Sequence, residues 1–273
     1  MSNQLERGPV RTTRAEALLA SVGERGVLRS FYDEDVGVDL MQEADGTSEA
    51  REMAARIRPA SGPVLELAAG TGRLTFPFLK LGFEMTALEL STAMLATLRG
   101  QLEDAPADLR DRCTLVQGDM SDFALGKRFG TVVISYGSIN LLDDADRPGL
   151  YASVREHLVP GGQFMISMAD TSRSESLERQ QELSGRSGRR YVLHVRRSPA
   201  EGIQEITTCP ADETSAPFVV CTSRLRLLEA NQVVRELEQA GFDVIAPTSF
   251  RSAGDRGGHD ALLLEASPKS DPA

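Results

Sequence analysis

Acidic side chains mark three places in the chain where binding of a charged ligand is expected. Glu66 lies just before a glycine-containing turn, Glu89 ends an apolar run further along, and Asp119 follows a third. The short apolar runs before them are typical of buried strands. Carboxylates attract a cationic ligand and repel an anionic one such as a pyrophosphate. The three positions therefore predict a pocket for a positively charged nucleoside.

The turn Ala68-Ala69-Gly70-Thr71-Gly72 lies where the first strand is expected to end. Glycine permits a tight turn and close approach of a ligand to the backbone. Open α/β sheets bind ligands outside the carboxyl ends of their strands, which is where this turn would lie. A dinucleotide fingerprint would need a third glycine where Thr75 stands, so the pattern favours a different nucleoside.

The residues at these strand ends have distinct expected roles. Glu89 can accept hydrogen bonds from ribose hydroxyls, Asp119 can accept one from an adenine amino group, and Met120 offers a polarizable surface to a purine. Taken singly, Glu89 could instead be a charge at a helix N-terminus, Asp119 an ordinary turn residue and Met120 a core residue. The expected cofactor-contacting residues are Glu66, Ala68, Gly70, Gly72, Glu89, Leu90, Asp119, Met120 and Ser135.

The composition limits the class of protein. The 273 residues carry a net charge of −10, which argues against broad nucleic-acid binding. No apolar run is long enough to span a membrane, and the N-terminal residues lack the order of a secretory signal. Three widely spaced cysteines fit neither a disulfide framework nor a zinc site. We expect a cytoplasmic protein without a metal, and the sequence leaves open whether it is a monomer or a homodimer.

The order of elements predicts the fold class. From Val64 onward, short apolar runs alternate with amphipathic segments, as in a βαβ protein. The expectation is a doubly wound α/β fold with a mostly parallel, seven-stranded sheet and a small antiparallel insertion after the fifth strand. The predicted parts are a helical lid at 1–60, a core at 61–170 and 226–267, the insertion at 171–225 and a disordered tail at 268–273.

Four runs in the core resemble a known family. VLELAAGTGRLTFPFL, TALELSTAML, CTLVQGDMSDF and GTVVISYGSIN are similar to class I S-adenosylmethionine-dependent methyltransferases, a Rossmann-like family, over about residues 27–267. The resemblance is strongest to N-methyltransferases of antibiotic biosynthesis, including those that act on glycopeptides. It implies S-adenosylmethionine as cofactor, S-adenosylhomocysteine as product, and a small-molecule or peptide-antibiotic acceptor, with neither a nucleic acid nor a membrane as partner.

The resemblance implies that the acceptor is the N-terminal amine of a glycopeptide antibiotic or its aglycone. An amino sugar or another small amine is the alternative, and a non-catalytic cofactor-binding protein with a blocked methyl path is a second. Ala68 replaces the usual first glycine of the family's turn, and we expect it to have a negative φ. Phe31-Tyr32-Asp33-Glu34 resembles the family's lid motif, and the insertion commonly covers the acceptor.

Candidate catalytic residues fall into two groups. Tyr136, Ser138 and Asn140 follow the fourth strand, where this fold places groups near the transferred methyl, and Tyr32 could close over the cofactor. His194 in the insertion is the candidate base, with a surface histidine as the alternative. His157 is interpreted as structural. An excess of arginine over acidic residues in 171–200 indicates either a solvated face or a site for acceptor anions.

Overall fold

The computed structural model describes residues 8–32, 35–41, 46–58, 62–135, 137–171, 174–252 and 259–269. The α-helices are α1 (Thr13–Val22), α2 (Asp35–Met41), α3 (Thr47–Ala54), α4 (Thr75–Lys80), α5 (Thr92–Glu103), α6 (Ala107–Arg110), α7 (Arg147–His157) and α8 (Ala230–Gln239). Short 3₁₀ helices cover Gly23–Arg25 and Ser138–Leu141. The strands are β1 (Gly26–Ser30), β2 (Val64–Leu67), β3 (Met85–Glu89), β4 (Cys113–Gln117), β5 (Phe129–Ile134), β6 (Leu158–Ala169), β7 (Leu177–Ser184), β8 (Arg190–Ser198), β9 (Ile203–Pro210), β10 (Phe218–Arg226), β11 (Phe242–Ser252) and β12 (His259–Pro268).

A seven-stranded sheet forms the core and confirms the predicted fold class. Its strand order is β11-β12-β6-β5-β2-β3-β4. Strands β4, β3, β2, β5 and β6 are parallel, while β12 runs antiparallel to both β6 and β11. Every residue of β2, β3 and β5 is buried, because helices cover both faces of a doubly wound sheet.

A second sheet contains the predicted insertion. Strands β7 to β10 form an antiparallel meander, and the N-terminal β1 adds to it by pairing in parallel with β10. The sequence predicts strands at the apolar runs Tyr191–Val195, Ile203–Thr208 and Phe218–Thr222, and β8, β9 and β10 confirm them. The sequence of β7, LERQQELS, is mostly exposed and polar, so its pattern did not indicate a strand.

The N-terminal segment differs from the helical lid that was expected. Helix α1 is present, with the Thr12 hydroxyl accepting from the Ala15 N–H as an N-cap. The sequence predicts a further helix over Thr47–Arg58, and α3 begins at Thr47 but ends at Ala54. Between these helices lies strand β1, which the sequence analysis missed. Its edge position, with a single partner strand, explains why its pattern was weak.

The end of the chain is more ordered than expected. Strand β12 continues through Pro268, and the Lys269 N–H donates to the Gly241 carbonyl at 2.9 Å. The predicted disordered tail is therefore wrong at Pro268, and residues 270–273 lie outside the described part. In the described residues, no helix has the length and apolarity to cross a lipid bilayer.

Candidate active site

One cavity lies between the two sheets, at the carboxyl ends of the core strands. Its volume is about 670 Å³. The core wall includes Ala68, Gly70, Glu89, Leu90, Asp119, Met120 and Ser135. The opposite wall comes from the N-terminal segment and the insertion and includes Ser30, Tyr32, Met41, Thr222, Ser223 and Arg226. The position is the one that open parallel sheets use for ligands.

Glu89 is the last residue of β3 and is fixed by two backbone donors. Its Oε2 accepts from the Gly70 N–H and its Oε1 from the Ser91 N–H, both at 2.8 Å. The side chain is 7% exposed and lines the cavity. Ser91 also caps α5 through its hydroxyl, which accepts from the Met94 N–H. The carboxylate therefore joins the glycine turn to the start of α5 in one rigid corner.

Asp119 lies beside that corner, after the end of β4. The Gly118 N–H donates to the Glu89 carbonyl at 3.1 Å, which brings the two strand ends together. The Ser121 N–H and hydroxyl donate to Asp119 Oδ1 at 2.8 and 2.7 Å. Met120 is 7% exposed and lines the same cavity, as does Leu90. The expected pairing of two carboxylates with an apolar surface is present.

Glu66 does not reach the cavity, which corrects the prediction that three carboxylates converge there. In the sheet register Glu66 lies beside Ala87, two residues before Glu89, so its side chain is within the sheet rather than at its edge. It is 1% exposed and accepts from the Thr75 hydroxyl at 2.5 Å. Burial raises the pKa of Glu66 to about 8, despite the bond from Thr75 and the charge of Arg73. It is a structural carboxyl group beneath the turn.

The turn itself departs from expectation in two places. Ala68 has a φ of +55°, not the negative value predicted, and this conformation costs an alanine about 1 kcal/mol relative to glycine. Gly72 does not line the cavity. A β-carbon on Gly72 would lie 2.5 Å from Leu98 Cδ1, so this glycine allows α5 to pack against the turn. Gly70, with a φ of +58°, is the turn glycine that lines the cavity.

Tyr32 closes the cavity from the lid side. The Ser91 hydroxyl donates to the Tyr32 carbonyl at 2.7 Å, and this bond ties the end of β1 to the core. Burial raises the pKa of Tyr32, the nearby Glu89 charge raises it further, and a hydrogen bond from Ser223 lowers it. The phenol is therefore neutral at ordinary pH and suited to hydrogen bonding rather than to acting as a base.

The segment after β5 contributes three of the predicted residues to the cavity. Ser135 and Ser138 line the cavity, and their hydroxyl oxygens are 3.4 Å apart. Asn140 also lines it, but its amide donates to the Arg226 carbonyl at 2.5 Å. Asn140 therefore holds the end of β10 to the core. Tyr136, the other candidate in this segment, lies outside the described residues.

His194 is not in the cavity, so its predicted role as a base at the site is wrong. His194 is paired with Thr207 on the neighbouring strand, and Thr207 is paired with Thr222 on the next one. Of these three residues, Thr222 alone lines the cavity. Helix α1 covers His194, and Arg14 Nε donates to its Nε2 at 3.2 Å. Burial and the Arg14 charge lower its pKa.

His157 is structural, as interpreted from the sequence. It is 6% exposed, its Nε2 accepts from the Leu125 N–H at 2.8 Å, and its Nδ1 lies 2.7 Å from the Ser153 carbonyl. Its ring packs on Phe123. The histidine thus fixes α7 to the loop that precedes β5.

The described arginines of the insertion at 171–200 do not supply the cationic groups of the cavity. Among the described residues of that stretch none lines the cavity. Arg224 and Arg226 at the end of β10 do, and each has an acidic partner: Glu205 at 2.7 Å and Asp143 at 2.9 Å, respectively. Arg73, Thr222 and Ser223 also line the cavity and were not predicted from the sequence. An arginine that directly follows the glycine turn was a usable signal for the first of these.

Similarity to proteins of known structure decides the family. The chain is 64% identical to a glycopeptide N-methyltransferase, MtfA, solved with S-adenosylmethionine; the match covers 96% of this chain and 100% of that one, with a TM-score of 0.68. Residues 64–162 also match a family described as "Methyltransferase domain". The chain belongs to the class I S-adenosylmethionine-dependent methyltransferases.

Two further relatives place this methyltransferase within its family. MtfA solved with S-adenosylhomocysteine is 66% identical over 95% of this chain and 99% of that one, with a TM-score of 0.66. A dTDP-3-amino-3,4,6-trideoxy-α-D-glucopyranose N,N-dimethyltransferase from Streptomyces venezuelae is 37% identical over 126 residues, which is 45% of this chain. The chain spans about half the length of the curated relatives it matches.

S-adenosylmethionine is the cofactor of this methyltransferase, and the charges of the cavity fit it. The basic residues Arg224 and Arg226 are paired with acids, whereas N–H and O–H donors hold the carboxylates of Glu89 and Asp119. The core wall is therefore electronegative, as suits a ligand with a sulfonium and an ammonium group. The volume of about 670 Å³ lies within the ordinary range for small-molecule sites.

Proposed function

We propose that this methyltransferase transfers a methyl group from S-adenosylmethionine to the N-terminal amine of a glycopeptide antibiotic or its aglycone. One observation supports this acceptor most strongly. The identity of 64% to a glycopeptide N-methyltransferase extends over 96% of the chain, so it includes the insertion and most of the N-terminal segment. Those parts form the wall of the cavity that faces the cofactor wall.

The bound cofactor supplies a methyl group on a sulfonium, which is already an activated electrophile. The residues of the chain have to hold the acceptor in line with it, and positioning of this kind can contribute roughly 7–11 kcal/mol at best. We assign the cofactor's ribose to Glu89 and its adenine to Asp119 and Met120. Ala68, Gly70, Leu90 and Ser135 complete the cofactor wall.

We assign the acceptor amine to the hydroxyl groups opposite. Tyr32, Ser138, Thr222 and Ser223 line that part of the cavity, and none of these side chains carries a charge at neutral pH. A hydroxyl oxygen can accept an N–H of the amine and leave the nitrogen lone pair directed at the methyl. The insertion at 171–225 is thus the acceptor-binding part of the protein.

Proton removal does not require a strong base in the cavity. An α-amine has an ordinary pKa of about 7.7–8.0, so a useful fraction is neutral at pH 7. The described residues that line the cavity include neither a histidine nor a lysine. We infer that the amine reacts from its neutral form and that the hydroxyl groups orient it.

The test is methyl transfer to a panel of acceptors, read by mass spectrometry. The aglycone with a free N-terminal amine is expected to gain one or two methyl groups at that nitrogen. The same aglycone acetylated at the N-terminus is the matched control and is expected to gain none. Equal transfer to both aglycones would contradict the assignment of the acceptor atom.

An amino sugar is the second candidate acceptor, favoured by the 37% identity to a sugar N,N-dimethyltransferase. It belongs in the same panel as a nucleotide-linked amino sugar. Transfer to that sugar without transfer to any aglycone would replace the glycopeptide with the sugar. A non-catalytic role is disfavoured because the cavity is open between its two walls.

A further inference from the structure

Arg73 is a buried cation in the cavity wall with an unfilled donor. It follows the glycine turn directly, lines the cavity, and its side chain is 16% exposed. Its Nη1 lies 2.7 Å from Glu49 Oε2. Its Nη2 is buried and has no hydrogen-bond partner anywhere in the described parts of the chain. A buried donor on a charged group is costly to leave unsatisfied, so this atom indicates a ligand.

Glu49 and the start of α3 hold the guanidinium of Arg73 in place. Glu49 in α3 is fully buried, and the Ser167 hydroxyl of β6 donates to its other oxygen, Oε1. Helix α3 also packs closely on the turn, since a β-carbon on Gly46 would lie 2.2 Å from the Arg73 carbonyl oxygen. Glu49 and α3 therefore fix one side of the guanidinium, and Nη2 remains for another partner.

The other arginines of the cavity have their partners within the protein. Arg224 donates through Nε and Nη2 to Glu205, and Arg226 donates through Nε to Asp143. Among the cavity arginines that the structure describes, an unfilled buried donor is found at Arg73 alone. An anionic group that enters this cavity is therefore expected to bind there.

We propose that Arg73 binds the carboxylate of the amino-acid end of S-adenosylmethionine. The cofactor carries two cationic groups and one anionic group, and the carboxylates Glu89 and Asp119 suit the rest of the molecule. Gly70 connects the two sites, because its N–H bonds to Glu89 and Arg73 follows three residues later. A guanidinium is the side chain best suited to a carboxylate.

The test compares two ligands on the same protein by isothermal titration calorimetry in the absence of any acceptor. S-adenosylmethionine carries the carboxylate, and decarboxylated S-adenosylmethionine lacks it. Arg73→Gln is expected to weaken S-adenosylmethionine binding about 10- to 100-fold, the range for loss of a charge-assisted hydrogen bond. Its affinity for the decarboxylated ligand is expected to stay within about twofold of the parent's. Arg224→Gln is the matched control and is expected to preserve the parent's ratio of the two affinities.

Two results would overturn the proposal. An equal loss for both ligands would show that Arg73 only shapes the turn, and no loss for either would show that its partner lies elsewhere. If the glutamine variant fails to fold, Arg73→Lys replaces it in the test, because lysine keeps the charge next to Glu49. Arg73→Lys is expected to lose part of the parent's preference for S-adenosylmethionine over the decarboxylated ligand. The inference rests on the cofactor and not on the acceptor, so a failed acceptor panel leaves this test intact.

Discussion

At the scale of single residues, Glu89 and Glu66 show how position within a strand decides the role of a carboxyl group. Glu89 is the last residue of β3, and two backbone N–H groups hold it at the cavity. Glu66 lies two residues deeper in the sheet, where burial raises its pKa to about 8. Glu89 is a cavity-lining carboxylate held in a rigid corner, and Glu66 is a fully buried group that is mostly protonated at neutral pH.

Glu66→Gln is expected to change how stability depends on pH. Glu66 titrates at about 8 in the folded protein and near 4.5 when unfolded. A raised folded pKa gives stability that is present below pH 4.5 and lost as pH rises toward 8. Glutamine has no proton to lose, so the variant should gain at least about 1 kcal/mol on the parent between pH 5 and 8.5 in urea unfolding. Parallel pH profiles for the two proteins would contradict the burial argument.

Thr222→Val is expected to weaken use of the acceptor without changing cofactor affinity. The Thr222 hydroxyl is buried, lines the cavity and has no partner within the described chain, so an amine N–H is its expected partner. Thr208→Val is the matched control, because its hydroxyl is also buried without a described partner but does not line the cavity. We expect kcat/KM for the acceptor to fall about 5- to 10-fold in the first variant only. Equal effects in both variants would remove Thr222 from the site.

The pH dependence of the reaction is expected to follow the acceptor amine. In the parent, kcat/KM should rise with pH and level off near the amine's pKa of about 8. His194→Gln should leave the activity within about twofold and the inflection unmoved, because His194 bonds to Arg14 and does not line the cavity. Initial rates between pH 6 and 9.5 give the comparison. A shifted inflection in the variant would show that His194 acts as a base in the reaction.

At the scale of elements, the turn between β2 and α4 depends on packing as much as on ligand contact. Ala68 and Gly70 line the cavity with positive φ values, whereas Gly72 faces α5. Hydrogen bonds link the insertion and the N-terminal segment to the core. Asn140 binds the Arg226 carbonyl, and the Ser91 hydroxyl binds the Tyr32 carbonyl. These bonds set the distance between the two walls of the cavity.

Gly72→Ala is expected to destabilise the protein more than Gly82→Ala. Both glycines have nearly the same positive φ, +96° and +98°, so the cost of the dihedral is matched. A β-carbon at Gly72 meets Leu98 and Phe76, whereas one at Gly82 meets nothing within 4 Å. We expect a loss of about 1 kcal/mol at Gly82 and about 2–4 kcal/mol at Gly72, measured by urea unfolding. Equal losses would show that α5 can move away from the turn.

At the scale of the whole molecule, the core could be predicted because its strands are mostly apolar and several are followed by glycines or acids. The small sheet was harder, because β7 is polar and β1 is five residues long and joins from the distant N-terminal segment. The cavity lies between these sheets. Thr222 and Arg226 therefore had no local signal, since the pairing of β10 with β1 and the bonds of Arg226 to Asn140 and Asp143 bring them to the core.

Sheet register and helix packing explain why Glu66 and His194 do not line the cavity. Spacing along the sequence identified carboxylates near strand ends, but it did not show that Glu66 lies beside Ala87, below the edge of the sheet. Alternation along β8 puts His194 and Leu193 on opposite faces of the strand, but it does not show that His194 lies next to Arg14 of α1 rather than at the cavity. Both facts depend on long-range pairing, which no single segment of the sequence encodes.

The most direct test of this account is a crystal structure with S-adenosylhomocysteine and the unmethylated aglycone bound together. We predict the ribose at Glu89, the adenine at Asp119 and the N-terminal amine of the aglycone among Tyr32, Ser138 and Thr222. An aglycone bound away from this cavity, with its amine far from the cofactor's sulfur, would contradict the account.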